Sequence, residues 1–168
     1  VEETSDGHQR AVVGEPLGSA LEEARVERRV GVHDHHAVVV ALAGEDLGER
    51  LVEVAPDITR HERRDPKMQY TVYAPPGSLM RGKLLATTGD KGKTPICSTC
   101  HLSKLEGTDK IPPIAGRSPT YLLRQLIAFK NGARTNEAAK QMDAVVEKLE
   151  LEDMVALAAY IGSLYPPK

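Results

Sequence analysis

The clearest periodicity lies at the C-terminal end. Met154, Leu157, Ala158 and Ile161 recur at i, i+3, i+4 and i+7, the buried stripe of a helix expected over 151–164 and stopped by Pro166-Pro167. Leu122, Leu126 and Phe129 mark a second helix, entered at Ser118-Pro119 as N-cap and first-turn proline and ending near Gly132. A third begins at Ser78, read as an N-cap after Pro76-Gly77, with Leu79, Gly82 and Leu85 facing inward and Gly89 and Gly92 ending it. Between these lie a short turn at 97–101, a loop over 102–115 containing Pro112-Pro113, and a linker reaching Met142. The pattern predicts a mainly α domain over 77–168.

Upstream the pattern changes period. Leu51, Val52 and Val54, then Tyr70, Val72 and Tyr73, alternate as short strands do, with the charged stretch His61-Glu62-Arg63-Arg64-Asp65-Pro66 between them. Residues 51–76 read as an extended arm lying on the helical domain. Residues 1–50 form an extension of poorly defined structure, cut by Gly14, Gly18, Gly31, Gly44 and Gly48. Within it 21–29 is a charged helix candidate and 36–43 a Val-rich strand or buried turn. No aromatic residue precedes Tyr70, so this segment has little with which to build a core of its own.

Charge divides the same way. Residues 1–70 carry a net −6 and residues 71–168 a net +4, giving −2 for the 168-residue chain. A basic half favours an acidic partner surface. The chain has no run of eighteen apolar residues of the kind that spans a bilayer.

Candidate chemistry concentrates in Cys97-Ser98-Thr99-Cys100-His101, the C-x-x-C-H pattern of covalent haem attachment. Thiols at i and i+3 share one side of a helical turn, where each can add to one vinyl group, and the adjacent histidine can bind iron from below. The chain has only these two cysteines, so none remains for a disulfide. A thioredoxin-like thiol pair would need a strand before the motif and a βαβ pattern around it, whereas a Gly/Lys/Thr-rich loop precedes it. A zinc site would need a carboxylate as fourth ligand, since no histidine other than His101 follows His61. The cluster His33-Asp34-His35-His36 reads as a solvated polar turn, because no second ligand cluster accompanies it.

Haem iron needs a sixth ligand unless the site binds gas. Of Met68, Met80, Met142 and Met154, the last belongs to the core stripe. Met80 lies in the first helix, at the end-helix packing surface, and Met68 in the arm. Met142 sits in a linker able to bend over the distal face. Arg117 and Tyr121 flank a helix start and are candidates for bonding haem propionates, the competing reading being plain surface exposure.

The residues Tyr73-Ala74-Pro75-Pro76-Gly77-Ser78, Arg81-Gly82, Thr87-Thr88-Gly89, Cys97 to His101, Ile114 to Tyr121, Arg124-Gln125-Leu126, Gly132-Ala133-Arg134, Met142, Glu152-Asp153-Met154 and Ala158-Ala159-Tyr160 together resemble a class I c-type cytochrome. The nearest likeness is to the C-terminal haem domain of bacterial dihaem cytochromes of the c4/c553 type, over about 47–168. The resemblance implies the class I fold, three to five helices around one covalent haem c, with Met142 as axial ligand opposite His101. It also implies a proline carbonyl, assigned to Pro113, accepting the His101 Nδ1–H, and a crossing of the first and last helices at Gly82 and Tyr160. Two departures stand out: Leu102-Ser103 follows the haem histidine where the family has Gly, and residues 1–46 hold no trace of a first haem domain.

The function implied is one-electron transfer between redox proteins by a monohaem, non-enzymatic carrier. Alternatives are a fixed haem subunit of a larger membrane or periplasmic redox complex, and a gas-binding or peroxidase-like protein if Met142 does not ligate. Nucleic acid is not an expected partner. Covalent haem implies export to a bacterial periplasm; a chain starting at Val1 without a visible signal peptide reads as mature or trimmed.

Overall fold

The computed structural model describes residues 50–167, together with short strand segments between 38 and 46. The expected helix at 21–29 and the histidine cluster at 33–36 lie outside the described residues. Three small strands precede the arm: β1 (Val38–Val39), β2 (Ala41–Leu42) and β3 (Glu45–Asp46). The arm is β4 (Val52–Val54), α1 (Ile58–Glu62) and β5 (Thr71–Tyr73). The helical domain contains α2 (Ser78–Thr88), α3 (Ser98–His101), α4 (Pro119–Lys130), a 3-10 turn at Glu137–Met142, α5 (Asp143–Val146) and α6 (Leu151–Gly162).

The hub is α6, buried from Asp153 through Gly162. Glu150 caps it in a reciprocal box: its side chain accepts from the backbone of Asp153, whose carboxylate accepts from the Glu150 N–H. Helix α2 crosses α6 at Gly82. A Cβ at Gly82 would overlap the Ala156 carbonyl and lie 2.7 Å from Tyr160 Cβ, so only glycine permits this approach. Met154 is 5% exposed within the core, where its periodicity put it. Helix α4 packs Leu122 against the same core, and Ser118 caps it by accepting from the Tyr121 N–H.

The arm completes a three-stranded sheet of order β1–β5–β4, with β1 parallel and β4 antiparallel to β5. Val72 and Ala74 are fully buried against Ala159. Glu53 ties β4 to the start of α4, its carboxylate accepting from Ser118 Oγ and, at 3.0 Å, from the Thr120 N–H. A carboxylate at a helix N-terminus meets unpaired N–H groups and the positive end of the helix dipole.

Several expectations need correcting. Ser78 is the first residue of α2, not its cap; the cap is Gly77, left-handed at φ +83°, and no side chain bonds the helix end. Met80 is 64% exposed and takes no part in the end-helix contact, because it points away from the Gly82–Leu85 face. The segment between the two strands is not wholly extended: α1, capped by Asp57 accepting from the Arg60 N–H, takes in His61 and Glu62 at the start of the charged stretch. The linker before Met142 is itself helical, with Ala139 buried.

Candidate functional site

Helix α3 is one turn long. It is held by the Cys97 N–H donating to the Ala86 carbonyl of α2 at 3.1 Å and by the His101 N–H donating to the Cys97 carbonyl at 3.0 Å. Neither cysteine forms a disulfide among the described residues; Cys97 is half-buried and Cys100 exposed. Burial pushes the Cys97 thiol up to about 11. Among the described residues no group of three His, Cys, Asp or Glu side chains could hold a metal ion, so zinc finds no carboxylate to complete a site with the motif.

The ring of His101 is buried, 8% exposed. Its Nδ1 lies 2.8 Å from the Pro112 carbonyl oxygen. A carbonyl only accepts, so Nδ1 carries the proton and Nε2 keeps a lone pair. This corrects the assignment to Pro113, whose carbonyl accepts instead from Arg117 Nε at 3.3 Å. The loop 102–111 brings Pro112 to the ring: the Gly107 N–H donates to the His101 carbonyl at 2.9 Å and the Ile114 N–H to the Leu105 carbonyl at 2.9 Å. Leu102 opens this loop at φ +65°, ψ 172°, a conformation nearly reserved for glycine. Its side chain points outward, 42% exposed, so the departure from the family pattern strains the backbone and does not crowd the site.

Cys97, Cys100 and His101 line one cavity of about 880 Å³. Met142 reaches the same cavity from the 3-10 turn, half-buried. Met68 lines it from the arm, 2% exposed; Met80 and Met154 do not line it. Leu126, Phe129, Leu157 and Ile161 supply apolar wall. Arg117 and Tyr121 line it too; Tyr121 is 46% exposed, so the exposed and the cavity-facing readings hold together. The volume falls in the range of sites for organic cofactors, and His101 Nε2 has no hydrogen-bond partner among the described residues although the ring is buried. A flat apolar cofactor carrying a metal fits this wall and supplies that partner.

Of the arm residues that line the cavity, Met68 was a candidate iron ligand from the sequence, whereas Arg64 and Tyr70 were not expected there. His61, Arg64 and Tyr70 reach the cavity beside Met68, with Tyr70 hydroxyl 3.3 Å from His61 Nδ1. Burial, then the charge of Glu53, pushes the Tyr70 hydroxyl up. The one available signal was Met68, an apolar residue amid charged neighbours.

Behind the cavity, α2 and α6 are joined by a charge cluster. Asp153 accepts from Arg81 at 2.7 and 3.0 Å and from Lys93 at 2.6 Å, and Arg81 also bonds Asp90. Burial alone would raise the Asp153 carboxyl; the bonds from Lys93, the Glu150 N–H and Arg81 outweigh it and hold the carboxyl below the usual carboxylate range.

No family model matches the chain. The cytochrome c4 of Pseudomonas aeruginosa is 32% identical over 96 residues, covering 55% of this chain and 48% of that protein. The cytochrome subunit of sulfide dehydrogenase of Chlorobaculum tepidum is 31% identical over 105 residues, 54% of this chain and 93% of that subunit. This chain belongs to the class I c-type cytochromes. Its cofactor is haem c, covalently bound and carrying iron. The crystal structure of reduced recombinant cytochrome c4 from Pseudomonas stutzeri aligns at a TM-score of 0.48 and 33% identity, over 55% of this chain and 51% of that one. The cytochrome thus spans about half the length of the cytochromes c4 that it matches. No helix among its described residues is long and apolar enough to cross a membrane.

Proposed function

We propose that the chain is a monohaem electron carrier, with haem c joined by thioethers to Cys97 and Cys100 and iron held between His101 and Met142. The observation that carries this reading is His101, buried, with Nδ1 committed to the Pro112 carbonyl and Nε2 left without a partner. When bound, haem c supplies reversible one-electron chemistry at iron. The chain's own residues set the conditions for it. The Pro112 carbonyl selects the tautomer, fixes the ring orientation and raises the basicity of Nε2. Met142 contributes a neutral thioether, which favours the reduced state more than a second imidazole does. Leu126, Phe129, Leu157 and Ile161 keep water from the buried face, and Arg117 and Tyr121 offer donors to the cofactor's carboxylates. A site with both axial positions supplied by the protein leaves no open place for substrate, which supports transfer over catalysis.

The basic haem domain suits redox partners with acidic docking surfaces, and covalent attachment suits a bacterial periplasm. A second reading, a haem subunit fixed in a larger complex, draws on the 93% coverage of the sulfide dehydrogenase subunit. Size exclusion of native extract distinguishes the two: the carrier elutes near its own mass and the subunit with its complex. The test of the whole assignment is retention of haem after denaturation, read by peroxidase staining of a gel. Stain lost from the wild-type chain overturns the proposal, and Cys97→Ala is expected to reduce holoprotein sharply.

A further inference from the structure

The arm does more than pack on the helical domain. Its helix α1 ends in a tight reversal: the Arg64 N–H donates to the His61 carbonyl at 2.9 Å and the Asp65 N–H to the Arg60 carbonyl at 3.0 Å. That pairing is a Schellman closure, and its pivot residue adopts the left-handed conformation for which glycine is the usual choice. Here the pivot is Arg64, at φ +53°. Strain retained at a non-glycine residue points to a use for its side chain.

Arg64 lines the cavity and is exposed at its mouth. It has no carboxylate partner among the described residues. The nearby acid is already engaged, Asp65 accepting from Arg60 at 2.8 Å. Arg124 and Lys110 line the same cavity, also without a side-chain partner, and Arg117 bonds only the Pro113 carbonyl. His61 and Tyr70 bond each other. The mouth therefore carries cations in excess of anions, and the cofactor of this family carries two carboxylates.

We infer that Arg64 binds a carboxylate of the cofactor from the arm, making residues 58–70 a working wall of the site. This rests on the haem reading above. A guanidinium matches a carboxylate through paired N–H donors, and Arg64 lines the cavity from the arm.

The test uses haem-loaded Arg64→Gly and Arg64→Lys proteins, with covalent haem first verified by staining of the denatured chain. An unstained wild-type chain would overturn the haem reading, and this inference with it. In the loaded proteins the midpoint potential is followed across pH. Potential falls as a cofactor carboxyl ionises, and a carboxyl deprived of its guanidinium ionises at higher pH. In Arg64→Gly that fall is expected about one pH unit or more higher than in wild type, with most of the shift restored by Arg64→Lys. Glycine relieves the left-handed strain, so the melting temperature is expected to hold or rise. An unmoved profile overturns the inference whether the melting temperature drops, which makes Arg64 purely structural, or stays constant.

Discussion

The α2–α6 crossing and the cavity face are built by opposite means. At the crossing, Gly82 lets two helices touch, α6 is buried for ten residues from Asp153 to Gly162, and the charge cluster on Asp153 is closed by Arg81 and Lys93. On the cavity face, Leu126, Phe129 and Met142 are only half-buried, His101 Nε2 has no partner among the described residues, and Arg64 holds left-handed backbone. The first region spends its residues on stability. The second leaves surface and bonding capacity for a cofactor.

Changes at the two regions should separate cleanly, and the crossing should give the largest losses. Gly82→Val would drive a branched side chain into the Ala156 carbonyl, and overpacking against backbone is expected to cost at least about 3 kcal/mol. Urea denaturation should register it, and a fold that accepts valine unchanged would disprove the close crossing.

The two methionines sharpen the contrast further. Met154→Ala is expected to cost about 2–5 kcal/mol as a core truncation, with the haem spectrum unaltered while folded. Met142→Ala should cost less stability yet open the iron, giving high-spin ferric protein that binds cyanide. Spectra and melting curves of both variants decide the matter. If Met142→Ala keeps a low-spin spectrum, Met68, buried in the same cavity, becomes the ligand to test.

Asp153→Asn should cost about 1–3 kcal/mol, since two cations lose their buried acceptor charge. The sign with pH follows from the lowered carboxyl. Its contribution is fully present above the unfolded value near 4, and is lost as pH falls through the lower folded value. Stability curves of wild type and variant against pH should therefore converge in acid and stay apart at neutrality. Curves that stay parallel into acid would remove Asp153 as their source.

The smallest effect runs the other way and belongs to the loop that follows the haem histidine. Leu102→Gly removes a strained, outward-pointing side chain and should stabilise the protein by about 1 kcal/mol. The potential should be almost unchanged, because the Pro112 bond to His101 is untouched. A loss of stability would mean that the leucine packs in a way its exposure conceals.

Local pattern was enough where short-range chemistry decides. The C-x-x-C-H spacing marked one turn of helix and its cofactor, because thioether attachment needs adjacent residues in a set order. The stripe of Met154, Leu157, Ala158 and Ile161 identified the central helix and eliminated one methionine, because burial follows helical period. Ser118-Pro119 announced α4, because caps are local. Tertiary structure alone decided which proline serves His101. Pro112 and Pro113 are equivalent in sequence, and only the course of loop 102–111 brings one carbonyl within 2.8 Å of the ring. It alone brought Arg64 and Tyr70 to the cavity, since Arg64 reads as part of a charged connector until β4 and β5 pair and Glu53 anchors them on α4. It also replaced Ser78 by Gly77 as the cap of α2, because a left-handed residue can open a helix without any side-chain bond. Those features depend on contacts between residues far apart in the chain, and no pattern of neighbours encodes the distance between them.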